Sequence, residues 1–237
     1  YSTKLIQRAD FPQGWTLFMD GYFQLWADFE ELYHEYFAHM PIQLNGNVPS
    51  NVLVLGAGDG CLLRELVKYP TIKHIKLVEI DPRVIALAKH NPILKEINQA
   101  AFEDPRVDVI TMDAYHYVKN SKEQFDAIYM DFPAPKDYNL SKIFSLEFYT
   151  FIYRRLADNG FAVMDAPRMR FIADQNSPRE DLSPVTFIYL QTLTEAGFHQ
   201  ILRYSSKLET DNLEARKIFL NLVGDHNQLI VREKDAS

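Results

Sequence analysis

The chain has 237 residues, 47% of them apolar, which suits one large domain, or one domain with a small appendage, and ensures a substantial core. Its 25 lysines and arginines face 32 acids, a formal charge of −7 that argues against nucleic acid as a partner and favours cationic small molecules. One cysteine, Cys61, excludes an internal disulfide and makes a reducing cytoplasm the default compartment; no apolar run approaches the ~18 residues of a membrane span, and no signal peptide is visible.

Residues 1 to about 28 alternate as strands do, with Asp20-Gly21 marking a turn. Residues 29–40 read as a helix with Leu32, Tyr36, Phe37 and Met40 on one face. From Asn51 the pattern changes to strand (52–58), helix (60–69), strand (74–80) and helix (82–90), with Pro82 in the favoured first turn. Strands follow at 107–113 and 125–131, then a helix at 145–156 and a strand at 160–165. Residues 168–183 are polar and read as loop; beyond them lie a helix (184–197) and strands at 199–205, 217–223 and 228–234. This alternation predicts an α/β fold: a Rossmann-like, mostly parallel sheet with helices on both faces, behind a small N-terminal antiparallel β-domain. The division falls at 1–45 (β-strands and linking helix) and 46–237 (catalytic domain).

"VLVLGAGDG" (52–60) places Gly56 and Gly58 in a loop after the first strand of the larger part. Such a loop either cradles a nucleotide or is a tight strand-to-helix turn without ligand. Asp59 sits where the next helix begins and would repel a pyrophosphate, so the loop suits an uncharged or cationic ligand. Glu79 ends the next strand, 21 residues after Gly58, where a carboxylate can accept from both ribose hydroxyls. Asp113 ends the strand after that and can accept from an adenine amino group. Three acids at successive strand ends describe an adenosine site with a carboxylate near the ligand's far end, the pattern for an adenosyl sulfonium. Asp131, at the tip of another strand before the prolines of "DFPAP", is either a catalytic base or a plain loop residue.

These stretches resemble the polyamine aminopropyltransferases, the spermidine synthase family. "DGYFQL" (20–25), "YHE" (33–35), "VLVLGAGDGCLLRELVKYP" (52–70), "VEIDPRVI" (78–85), "DPRVDVITMDAYHYV" (104–118) and "FDAIYMDFPAP" (125–135) carry the likeness. "NPILKEINQAAFEDPRV" and "DYNLSKIFSLEFY" are most similar to a branch attached to membrane helices. That branch implies a membrane domain upstream of Tyr1 and a place at the cytoplasmic face; without it the location is cytoplasmic. The family implies a Rossmann-like catalytic domain of the S-adenosylmethionine-dependent transferase type and aminopropyl transfer from decarboxylated S-adenosylmethionine, as co-substrate, to a diamine such as putrescine, with methylthioadenosine as product, no metal, and a homodimer or higher homo-oligomer. By resemblance, Gln24, His34, Gly56, Gly58, Asp59, Glu79, Asp113 and Ala114 bind the nucleoside donor. Tyr33, Asp131 and position 134 face the amine, with Asp131 the proton acceptor. The chemistry agrees: an ammonium has no lone pair until a carboxylate takes its proton, and a sulfonium is electrophilic without a metal.

The chain departs from the family pattern at Tyr1-Ser2 (usually Tyr-Gln), at Phe29 (usually an acid), at Ala134 (usually the second loop acid) and in its C-terminal segment. Asp137 is a candidate replacement for the lost acid. Two other readings stand beside aminopropyl transfer: a methyltransferase using intact S-adenosylmethionine, and a weakly active or inactive nucleoside- or polyamine-binding homologue. Cys61 reads as packing.

Overall fold

The computed structural model describes residues 3–7, 14–133, 138–166, 184–205 and 227–232. The predicted strand at 217–223 lies outside them. β1 (Thr3–Gln7), β2 (Trp15–Met19) and β3 (Tyr22–Trp26) form an antiparallel sheet in that order. The predicted turn is there: Asp20 and Gly21 both take left-handed backbone, at φ 51° and 80°, as a two-residue hairpin requires. Leu17 and Leu25 from this sheet pack with Cys61 in one buried cluster. The small sheet is thereby seated on the helix that follows the glycine loop. Burial pushes the Cys61 thiol well up, consistent with packing and not with reactivity.

α1 (Glu30–Asn45) runs through Pro41 and ends at Gly46, whose N–H donates to the carbonyls of Ile42 and Gln43. Its buried residues correct the sequence expectation. They are Glu30, His34, Phe37, Ala38, Pro41 and Ile42, so of the predicted face only Phe37 is fully buried. The cause is charge: the buried Arg64 guanidinium holds Glu30, and Glu30 in turn holds His34, so two ionisable residues take core-facing positions that an apolar pattern does not count. Phe37, Ala38 and Ile42 join the core of the large sheet.

That sheet is built from β4 (Asn51–Gly56), β5 (His74–Glu79), β6 (Val107–Thr111), β7 (Phe125–Asp131), β8 (Leu156–Ala166), β9 (Gln200–Ser205) and β10 (Asn227–Arg232). Its order is β6-β5-β4-β7-β8-β10-β9. The five strands from β6 to β8 are parallel, and β10 runs antiparallel to both β8 and β9. Along β4, Val52 and Val54 face one core with α1 and with α2 (Cys61–Leu66), while Leu53 and Leu55 face the other. Residues of α5 (Ala114–Asn120), α7 (Leu146–Arg155) and α8 (Pro184–Glu195) cover that second face. Continuous apolar strands are what a sheet buried on both sides demands.

Three short helices escaped the sequence reading: α5, capped by Asp113, α4 (Pro92–Ile97), capped by Asn91, and α6 (Tyr138–Ser141). α4 follows α3 (Pro82–His90) after one residue, and α6 is a single turn ahead of α7.

The chain steps from β4 outward to β5 and β6, then crosses to β7 on the other side. The direction therefore switches between β4 and β7, where ligands of such folds bind at the carboxyl ends of the strands. The parallel register pairs Gly56 directly with Asp131. Gly56 has φ +82°, and a Cβ there would meet the Asp131 carbonyl oxygen at 2.1 Å. At the other end of the pair, the Asp126 carboxylate accepts from the N–H groups of Ser50 and Asn51, each at 2.8 Å. Gly56→Ala should therefore cost about 2 kcal/mol or more in urea unfolding, because backbone strain and a backbone clash coincide. A variant as stable as the parent would contradict this account of the strand pair.

Candidate active site

The loop leaving β4 is built around positions that a side chain would disrupt. A Cβ at Gly58 would lie 2.8 Å from the Glu79 carboxylate and 2.9 Å from Val84, so the loop passes directly over the end of β5. Asp59 Oδ1 accepts from the Cys61 N–H at 2.8 Å, which turns the chain into α2. Asn98, fully buried, donates through its amide to the carbonyls of Asp59 (2.9 Å) and Ala88 (3.0 Å) and holds the loop from below. Nothing in the local pattern of "EINQA" distinguishes this residue.

Glu79 accepts from the Asp81 N–H at 2.9 Å. Burial pushes its carboxyl above the usual range despite backbone donors from Asp81 and Ile80, and the charge of Asp59 adds to the effect. Asp113 lies at the start of α5 and accepts from the His116 N–H at 3.0 Å. Its other oxygen pairs with Lys142 at 2.5 Å. Burial works against the Asp113 carboxylate, but Lys142 and the backbone donors outweigh it and hold it below the usual range. The sequence reading missed Lys142, which comes from the segment after β7. It also missed Ile80 and Met112, 64% and 38% exposed beside Glu79 and Asp113. Ala114 is buried at the first position of α5.

Asp131 ends β7, half-buried, and accepts from the Tyr33 hydroxyl at 2.8 Å across 98 residues of sequence. Tyr33 stacks on Phe37 and meets the His34 ring edge-on, which fixes its direction. His34 is 4% exposed, with Nδ1 bonded to the Glu30 carboxylate at 2.8 Å. Burial opposes its charge, but the Glu30 hydrogen bond and the charges of Asp59, Glu30 and Asp131 raise it to about 9. Arg64 grips Glu30 through two nitrogens, at 2.5 and 3.1 Å. Arg64 also donates to Glu65 at 2.7 Å, and Glu65 in turn holds His39 and Lys68. Burial opposes the Glu65 carboxylate, yet His39, Lys68 and Arg64 bring it down to about 2.

The structure thus gathers Tyr33, His34, Gly56, Gly58, Asp59, Glu79 and Asp131 around the β4–β7 end of the sheet. Asp113 and Ala114 lie two strands away from β4, on the β6 side. Gln24 is exposed on β3 and donates weakly to the Tyr22 carbonyl at 3.4 Å; it makes no hydrogen bond to the acids among the described residues. Ala134 and Asp137 lie outside the described residues. One trio of ligand-type atoms, on Glu30, His34 and Cys61, falls within 4.8 Å among the described residues. Its carboxylate is already gripped by Arg64 and its thiol is held protonated, so this donor set fits a buried ion pair and not a divalent cation.

A mostly parallel sheet with helices on both faces and a small antiparallel sheet ahead of it defines a Rossmann-like fold of the transferase type. The spermine/spermidine synthase domain model matches residues 30–177, and the chain belongs to that family. A polyamine aminopropyltransferase of Oceanobacillus iheyensis is 38% identical over 150 residues, 63% of this chain and 29% of that protein. A polyamine aminopropyltransferase of Aquifex aeolicus is 30% identical over 220 residues, 90% of this chain and 76% of its own length. The chain spans under a third of several other curated relatives, 27–29% of their length. Among solved structures, a spermidine synthase from Thermotoga maritima shares the fold with a TM-score of 0.74 at 23% identity, covering 98% of this chain and 69% of that one. The N-methyltransferase NodS from Bradyrhizobium japonicum has a TM-score of 0.58 at 15% identity, covering 88% of this chain and 98% of its own. Among the described residues, no helix is long and apolar enough to cross a membrane.

The ion pairs around α1 and α2 make stability depend on pH from both sides. His34 lies above its ordinary 6.5, at about 9, so its contribution is complete below about 6.5 and lost as pH rises through about 9. Glu65 lies below its ordinary 4.5, at about 2, so its contribution is complete above about 4.5 and lost as pH falls through about 2. Urea unfolding should show stability falling by on the order of 2–3 kcal/mol between pH ~6.5 and ~9. A His34→Gln variant should lack that alkaline loss; a variant with the parent's alkaline slope would assign the loss elsewhere.

Proposed function

We propose that the chain catalyses aminopropyl transfer from decarboxylated S-adenosylmethionine to an amine, releasing methylthioadenosine. The observation that carries this reading is Asp131: a carboxylate aimed by Tyr33 at 2.8 Å and paired in register with the glycine loop. Glu79 would accept from the ribose hydroxyls. Ile80 and Met112 would lie against the purine ring, and Asp113 would meet its amino group in competition with Lys142. Asp59 would face the aminopropyl ammonium of the donor. Asp131 would take a proton from the acceptor ammonium. The freed lone pair attacks the propyl carbon on sulfur, the carbon–sulfur bond breaks, and its electron pair returns to sulfur as a neutral thioether. The protein supplies position and charge; the donor carries its own leaving group. The names of the relatives support this reaction class.

The acceptor is a diamine of putrescine type in this reading. With alanine at position 134, the carboxylate that the family usually places beside the amine is missing, so transfer to putrescine should be slow. An oligomer, a cytoplasmic location and a membrane-attached form of the longer protein belong to the same proposal.

Transfer is tested by mass spectrometry of product amine and methylthioadenosine. Asp131→Asn should lower turnover by roughly 100-fold or more while leaving methylthioadenosine affinity in place. Tyr33→Phe should cost roughly 10-fold, the loss of one hydrogen bond to a charged group. Glu79→Ala should weaken methylthioadenosine binding by on the order of 10- to 100-fold in calorimetry. Normal turnover by Asp131→Asn, or a methylated product formed from intact S-adenosylmethionine, would overturn the reading.

A further inference from the structure

α1 and α2 share a buried ionic group that the reaction above does not use. Glu30, Arg64 and Glu65 are 6%, 2% and 1% exposed. Charges this deep carry a desolvation cost that packing alone would avoid, because apolar residues of similar volume are often as stable. Their arrangement points toward the site. Arg64 takes both oxygens of Glu30, and its Nη1 also donates to the Ile97 carbonyl at 2.7 Å. The same Glu30 oxygen that takes Arg64 Nη2 also accepts from His34 Nδ1, at 2.8 Å.

The geometry fixes the His34 ring chemically. Both neighbours of Nδ1 are oxygen acceptors: the Glu30 carboxylate at 2.8 Å and the Glu30 carbonyl at 2.9 Å. Nδ1 therefore carries a hydrogen whatever the ring's charge. Only the state of Nε2 is open, and it decides function. Without a hydrogen, Nε2 is a base that competes with Asp131. With one, it is a donor. The charged groups acting on the ring are Glu30 on its own helix, Asp59 from the glycine loop and Asp131 from β7. Tyr33 stands edge-on to it, and Cys61, protonated, opens α2. Three carboxylates against one imidazole favour the donor form.

We propose that Glu30, gripped by Arg64, is a positioning residue that keeps His34 as a two-donor ring on the side of Asp59 and Asp131, so that Asp131 and not His34 accepts the proton. This rests on the proposed transfer for its catalytic meaning, but the state of the ring is measurable without any turnover. A protonated His34 also offsets part of the acid charge, so the site attracts cations without forcing Asp131 to hold a proton.

The test uses the full chain labelled with 15N-histidine, with the His34 signal assigned through a His34→Gln variant. Both ring nitrogens of His34 should show imidazolium shifts through pH 8. A neutral ring at pH 7.5 overturns the proposal, and this parent measurement decides the matter even where a variant fails to fold. In Glu30→Gln the amide oxygen still accepts from Nδ1, but the charge is gone. The His34 midpoint should then fall by about one pH unit or more, and the alkaline limb of kcat/KM should move down with it. An unchanged midpoint in that variant overturns the proposal. A shifted midpoint with no aminopropyl transfer in either chain would refute the reaction assigned above and still support the role of Glu30.

Discussion

The parallel pairing of β4 with β7 is the constraint on which the site depends. It is pinned at one end by Asp126, which accepts from two successive N–H groups at the start of β4. At the other end it brings Gly56 so close to Asp131 that no Cβ fits. The glycine loop and Asp131 thus arrive at one place from strands whose chain positions are 75 residues apart. Everything downstream, including the passage of the loop over Glu79 and the reach of Tyr33 from α1, is arranged around that contact.

A second layer fixes charge. Among the described residues the site carries several carboxylates, which in the proposed reaction would suit a ligand bearing a sulfonium and ammonium groups. Unbalanced, such a cluster would draw protons and lose its carboxylate character. The Arg64–Glu30–His34 chain answers that problem from the buried side, while the Lys142–Asp113 pair does so at the exposed end. The two differ in kind. The first is sealed between helices; in the second, Lys142 is 46% exposed, so its pairing is weak in free energy and open to exchange with a ligand.

The strand-end acids were legible because a glycine loop followed by regular β–α alternation sets the positions where strands must stop. Glu79 and Asp131 could be placed from pattern alone, and the resemblance then supplied roles for Tyr33 and His34. The buried face of α1 was not legible. An apolar pattern does not count Glu30 or His34 as core, and it takes a guanidinium from another helix to hold Glu30, which in turn holds His34. Asn98 and Lys142 escaped for a related reason: their partners lie 39 and 29 residues away, and no local period records such pairings. Helix α4 did carry a local signal in Asn91-Pro92, a capping residue before a first-turn proline, obscured by the brevity of the helix.

In the proposed reaction, donor and acceptor meet at the carboxyl ends of β4 and β7. The most direct measurement is a crystal structure of the chain with methylthioadenosine and putrescine bound. The account predicts ribose hydroxyls within hydrogen-bond distance of Glu79 and an amine nitrogen within hydrogen-bond distance of Asp131, on the side of the thioether sulfur. A nucleoside seated away from the glycine loop, or an amine held without contact to Asp131, would contradict it.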